Sequence, residues 1–307
     1  RSQYVDSTVQ DTIEWIKPSL MRVFASGDEM VKFNPTGQED VKMAQQATDY
    51  VNYVFTKDNP GWEIMYSWFT DALLSKNGIV KVWWDEYSEE TREEYSKLTD
   101  DEFNYLIVSE DVEVIEHTEY QEYEIIFHDL VLKRTGYNGK VKIENVPPSE
   151  FLISREAKSI QDATFVCHRV EKTLSELREM YPDEDLDAES LGGSDEDLMA
   201  FSAERLERYA FDKSADYWGV GAGDAYDDES LRKFWLHESF LRTDYDGDGI
   251  AELRKICTVG STVLANEAID SVPFVSITPI KIPHKFFGLS IADLVMDLQL
   301  MKSTLMR

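Results

Sequence analysis

The stretch Thr243-Asp-Tyr-Asp-Gly-Asp-Gly-Ile-Ala-Glu-Leu253 decides how the middle of this chain folds. Asp244, Asp246 and Asp248 alternate, Gly249 permits the positive φ that a tight reversal needs, and Glu252 follows four residues after the last Asp. Leu231 to Leu241, rich in Phe, Trp and Leu, lies before it, and Ala251 to Thr258 mixes Leu, Ile and Cys with Arg and Lys. The pattern predicts an acidic turn joining two antiparallel strands.

The same spacing raises a chemical question. In an EF-hand the bidentate Glu stands at the twelfth loop position, which here, counting from Asp244, is Lys255, so the full motif fails. A compact Asp-x-Asp-x-Asp-Gly loop still offers three carboxylates and the Ile250 carbonyl to a hard cation, and three negative charges in one turn repel unless something neutralises them. Asp and Gly are equally the ordinary residues of hairpin turns. The turn is therefore read as architecture first. A calcium site at Asp244, Asp246, Asp248 and Glu252, stiffening the hairpin, is the chemical alternative; no cofactor is required.

Outward from the turn, Gly260-Ser261 predicts a second tight turn before Thr262 to Ala265, and Gly288-Leu289-Ser290 opens a helix through Ile291, Leu294, Leu298, Met301 and Leu305. Upstream, Phe151 to Ile153 and Ala163 to Val170 read as strands, and Thr173 with Glu176 caps a short helix ending near Tyr181. Asp183 to Asp197 is acidic, Leu198 to Phe211 helical, and Ser214 to Ser230 a loop whose Gly219, Gly221 and Gly223 neither follow a strand nor open a helix, against a dinucleotide cradle. Tyr120 to Lys133 and Val141 to Val146 are predicted to pair as a hairpin about Asn138-Gly139, and Pro147-Pro148 ends it.

Near the N-terminus, Val9, Ile13, Ile16, Leu20 and Val23 mark one helical face with Pro18 inside it, and Gln38 to Lys57 a second helix bearing Val41, Ala44, Val51, Val54 and Phe55. Asn59-Pro60 reads as cap and first position of a third helix, carrying Trp62, Met65, Tyr66, Phe69 and Leu73 to near Gly78. Ile79 to Glu86 is a strand. Ser88 to Glu119, dense in Glu and Asp, with Thr99 and Glu102 as a capping box, predicts an exposed helical insertion.

The fold class that follows is α+β. Residues 1–78 form a helical N-terminal part, 79–285 a β-rich region with acidic helical insertions at 88–119 and 172–230, and 286–307 the start of a long helix. The chain opens at Arg1 without an initiator Met and ends at Arg307 inside an unfinished helix, which predicts a fragment of a longer protein.

Composition narrows the function. The 60 acidic against 31 basic residues leave a net charge of −29, which argues against a surface that wraps nucleic acid by neutralising phosphates. Cys167 and Cys257 stand alone among apolar residues, predicting two buried free thiols. Nothing resembles a signal peptide or a membrane span, so no membrane partner is expected. GxxxxGK[ST], GxSxG and HExxH are missing, and His117, His128, His168, His237 and His284 lie far apart, with His168 expected to be packed or at a strand edge. The residues alone leave a calcium-dependent binding module or a hydrolase built on the β-rich part as one reading.

Several segments resemble a known family. Ile13-Glu-Trp-Ile-Lys-Pro-Ser-Leu-Met-Arg-Val-Phe, Asp49 to Asn59, Asp71 to Trp84, Asn145-Val-Pro-Pro-Ser-Glu-Phe, the Asp-Gly-Asp-Gly-Ile-Ala-Glu-Leu hairpin and Pro283-His-Lys-Phe-Phe-Gly-Leu-Ser are similar, in this order along nearly the whole chain, to the portal (head-to-tail connector) proteins of short-tailed phages. The resemblance implies a portal-like fold: a helical N-terminal part, an antiparallel β-rich wing and the start of the stem helix, with clip and crown absent. It implies a structural protein, not an enzyme, forming a dodecameric homo-oligomeric ring at one capsid vertex of the virion, assembled in the host cytoplasm. Through that ring double-stranded DNA would be packaged and ejected without tight binding, an acidic lumen repelling its phosphates. Terminase, capsid or scaffold, and tail or adaptor proteins would be the partners.

Overall fold

The computed structural model describes residues 4–25, 27, 29–108, 112–122, 125–182, 184, 186–187, 191 and 229–307. The expected acidic stretch from Asp183, the helix Leu198 to Phe211 and the glycine-bearing loop lie almost wholly outside them. The described elements are α1 (Thr8–Phe24), α2 (Val41–Tyr53), α3 (Gly61–Ser75), β1 (Gly78–Leu98), α4 (Asp100–Ile107), β2 (Val112–Glu122), β3 (Ile125–Val146), β4 (Phe151–Ile153), β5 (Phe165–Thr173), α5 (Leu174–Met180), β6 (Lys233–Thr243), β7 (Glu252–Val259), β8 (Thr262–Ala268), β9 (Phe274–Ile277) and α6 (Ile291–Met306). This is an α+β chain with antiparallel sheets. They fall into two compact units: Arg1–Met30, Trp62–Lys81 and Glu144–Arg307 make the first, Val31–Gly61 and Val82–Ile143 the second.

In the first unit a five-stranded sheet runs β4-β5-β6-β7-β8, each neighbouring pair antiparallel. Along β6 every second residue points into the core, Phe234, Leu236, Glu238 and Phe240, as the two-residue period of a strand requires. Phe151, Val166, Phe240, Phe274 and Phe286 join Ile79 and Val146 in one cluster, where the Phe274 ring meets those of Phe151 and Phe240 edge-on at 5.3 and 5.4 Å. A second cluster gathers Leu174 and Leu177 of α5 with Leu236, Cys257 and Val259. Residues 78–81 of β1 pair with β9. The helix α1 packs against α6, with Val9 N–H donating to Gln299 Oε1 at 2.9 Å and Asp6 N–H to Ser303 Oγ at 3.0 Å. Its inward face carries Ile13, Met21 and, unexpectedly, Lys17, whose Nζ donates to Tyr66 Oη at 2.8 Å and meets Glu14 at 2.5 Å. Val23, expected inward, is exposed.

The second unit departs most from expectation. Most of Ser88 to Glu119 is strand: β1 continues to Leu98, only α4 is helical, and β2 follows. The acidic run of β1 finds basic partners along β3, Lys133 to Glu90 at 2.6 Å, Arg134 to Glu93 at 3.3 Å and Lys142 to Asp85 at 3.7 Å. Cross-strand pairs of opposite charge favour the ladder over a solvated helix. The expected hairpin at Asn138-Gly139 is also absent, because β3 runs straight through it and pairs instead with β2. A Cβ at Gly139 would run into the Trp84 ring, and Asn138 donates to Glu89, so this dipeptide serves a close strand approach. Asn59 does not open α3 but ends the π-helical turn Val54–Asp58: buried, its amide donates to the Val54 carbonyl of that turn and to the Val141 carbonyl, and accepts from Ile143 N–H, satisfying backbone groups of β3 as well.

Candidate functional site

The turn between β6 and β7 folds as its residues dictate. Gly247 and Gly249 both adopt left-handed backbone, φ +80° and +88°. Asp244 accepts from Gly247 N–H at 2.7 Å and from Gly249 N–H at 2.9 Å, Asp246 from Asp248 N–H at 3.1 Å, and Asp248 from Ile250 N–H at 2.7 Å. Each carboxylate thus braces the loop through its own backbone, as Asx-turns do. One oxygen of each of Asp244, Asp246 and Asp248 comes within 4.8 Å of the others, so the three could hold a cation; all are exposed. Glu252 is not brought to them. It faces Thr243 across the ladder and pairs with Arg254 at 3.1 Å, whose guanidinium lies 4.1 Å from the Tyr245 ring centre.

Two clusters that sequence spacing missed lie deeper. In the first unit Glu238 accepts from the Lys81 ammonium, lies 3.3 Å from His168 Nδ1 and 3.7 Å from Lys255, while Glu150 lies 3.9 Å from His168 Nε2. Burial alone would raise the Glu238 carboxyl, but His168, Lys81 and Lys255 outweigh it and hold it at about 2. Burial disfavours the His168 cation, yet Glu150 and Glu238 win and raise it above its ordinary value. His168 is therefore packed, on a strand interior to the sheet and not an edge. The one available signal was a Glu in the inward row of β6 between Leu236 and Phe240.

In the second unit His128 Nε2 lies 2.7 Å from Asp100, and its Nδ1 lies 2.8 Å from His117 Nε2, with Phe103 stacked on both imidazoles. This chain fastens α4 to the β2–β3 ladder. His237 remains on β6, and His284 sits in an exposed loop with φ +65°. Cys167 and Cys257 are buried and free, and burial pushes both thiols up, which suits packing and not nucleophilic work.

What these arrangements do chemically is hold strands together. The sequence matches the phage SU10 portal protein family over residues 1–307. The chain belongs to that family. A search of curated proteins returned no match. In this portal chain the acidic turn, the Glu238 cluster and the Asp100–His128–His117 chain are cross-braces within a structural protein. No helix among the described residues is long and apolar enough to cross a membrane.

Proposed function

We infer that this chain is the wing portion of a portal subunit that closes with its copies into a dodecameric ring at a capsid vertex, the conduit for DNA packaging and ejection. Terminase would dock on that ring during packaging, and tail or adaptor proteins afterwards. The family match over the whole chain carries the reading. Two features support it. The helix α6 exposes Leu294, Leu298, Met301 and Leu305 along one stripe and Met296, Leu300 and Met306 away from it, an apolar surface of the kind that other chain covers. The net charge of −29 disfavours adhesion to a passing polyanion. In this assignment residues 1–285 are wing and 286–307 lead into the stem. The acidic turn enters as architecture, its carboxylates fixing the reversal; calcium bound there would add to the brace and take part in no reaction. Heads assembled without the protein should take up no genome, and heads containing it should fill. Filled heads formed in its absence would contradict the assignment.

A further inference from the structure

Between Asp270 and Asp293 the chain carries no Asp or Glu, in a protein with 60 of them. The same stretch displays Lys281, His284 and Lys285, all exposed. Among the described residues none of these three forms an ion pair, whereas Lys17, Lys76, Lys81, Lys133, Lys142 and Lys255 each meet a carboxylate. Lys32, Lys42, Lys57, Lys97 and Lys158 are unpaired too, but each has an Asp or Glu within three residues of it in sequence; three cations within five residues and far from any carboxylate in sequence set this stretch apart.

The loop that displays them is fixed from beneath. Ile280 and Leu289 form an antiparallel bridge, with Leu289 N–H donating to the Ile280 carbonyl at 2.9 Å, and Lys285 N–H donates to the Ile282 carbonyl at 3.3 Å inside it. Gly288 lies so close to Ile280 and Thr278 that a Cβ there would collide with them. Phe286 is anchored in the core, and the buried Asn77 amide holds its carbonyl. The same loop exposes the apolar Phe287 and Leu289, and α6 after it exposes Leu294 and Leu298.

We propose that the loop 280–289 docks onto an acidic, partly apolar surface of a second copy of this chain. The inference rests on the assembly reading above. In a closed ring each copy presents one face to its neighbour and receives a different one, so a basic face and an acidic face can belong to the same sequence. Copies of net charge −29 repel at long range, and a local cationic patch meeting carboxylates offsets that repulsion and fixes which faces meet. Duplex DNA fits less well. Phosphates would satisfy the lysines but leave Phe287 and Leu289 against water, whereas protein interfaces bury such groups at their centre.

The test uses the full-length protein. Rings assembled from mixed unlabelled and 15N-labelled subunits, treated with a zero-length carbodiimide, should yield mixed-label peptides joining Lys281 or Lys285 to a carboxylate of another copy. The double variant Lys281→Glu, Lys285→Glu should need about tenfold more protein to assemble. Rings that give no such linked peptides, or that assemble equally well in the variant, overturn the docking face and leave the portal reading standing. Duplex binding at low salt that the variant loses assigns the loop to DNA and overturns it too. A wild-type protein that never associates removes both readings.

Discussion

The side-chain amide of Asn77, almost fully buried ahead of β1, donates to the Phe286 carbonyl at 3.1 Å, so a residue just before that strand fixes a loop more than two hundred residues away. Replacing it with Ala leaves that carbonyl buried without its donor, a loss of about 1–3 kcal/mol. Asn77→Ala should lower the melting temperature and speed hydrogen exchange at Gly288 and Leu289. An unchanged melt with unchanged exchange would show that the amide contributes nothing.

Trp84 fills the space beside Gly139 that any side chain would need. Gly139→Ala should therefore force the β1–β3 approach apart and cost about 1–3 kcal/mol by overpacking. Were the residue a turn glycine on open surface, Ala would not disturb the Trp84 environment. A shift in tryptophan fluorescence together with lower stability is the expected result, and the absence of both changes would refute the close approach.

Glu238 supplies the pH dependence. Its folded carboxyl, held at about 2, lies below the ordinary 4.5, so its contribution of about 3 kcal/mol is fully present above 4.5 and is lost as pH falls through 2. His168 works the other way: its raised value contributes stability below its ordinary 6.5, lost as pH climbs through the folded value. Denaturant melts from pH 2 to 9 should show both flanks, and Glu238→Gln should flatten the acid one while destabilising the protein near neutrality. An acid flank of unchanged height in that variant would assign it to other carboxylates.

The strands around the acidic turn are legible because their neighbours are adjacent in sequence: Phe234, Leu236 and Phe240 alternate, and Asp and Gly mark the reversal. Local capping is legible for the same reason, at Thr173 with Glu176 and at Thr99 with Glu102. Asn138-Gly139 misleads because its partner, Trp84, lies far upstream, and the dipeptide reads the same in a turn and beneath an indole. The acidic run from Ser88 looks like solvated helix until Lys133 and Arg134 are set opposite it. Of the site residues, the three aspartates do come together, while Glu252 is drawn to Arg254, a nearer cation that spacing cannot weigh.

Asp244 is the acceptor for two backbone N–H groups of that turn. Asp244→Ala should cost about 1 kcal/mol, reduced by exposure, and equally in chelator and in millimolar calcium. Urea melts under both conditions decide it. A loss that appears only with calcium present would make the ion, and not the Asx-turns, the brace.

We propose that this sequence is part of a ring-forming portal subunit. Negative-stain microscopy of the full-length protein tests it most directly: closed rings with an open central channel are predicted, and particles that stay monomeric at every concentration would contradict it.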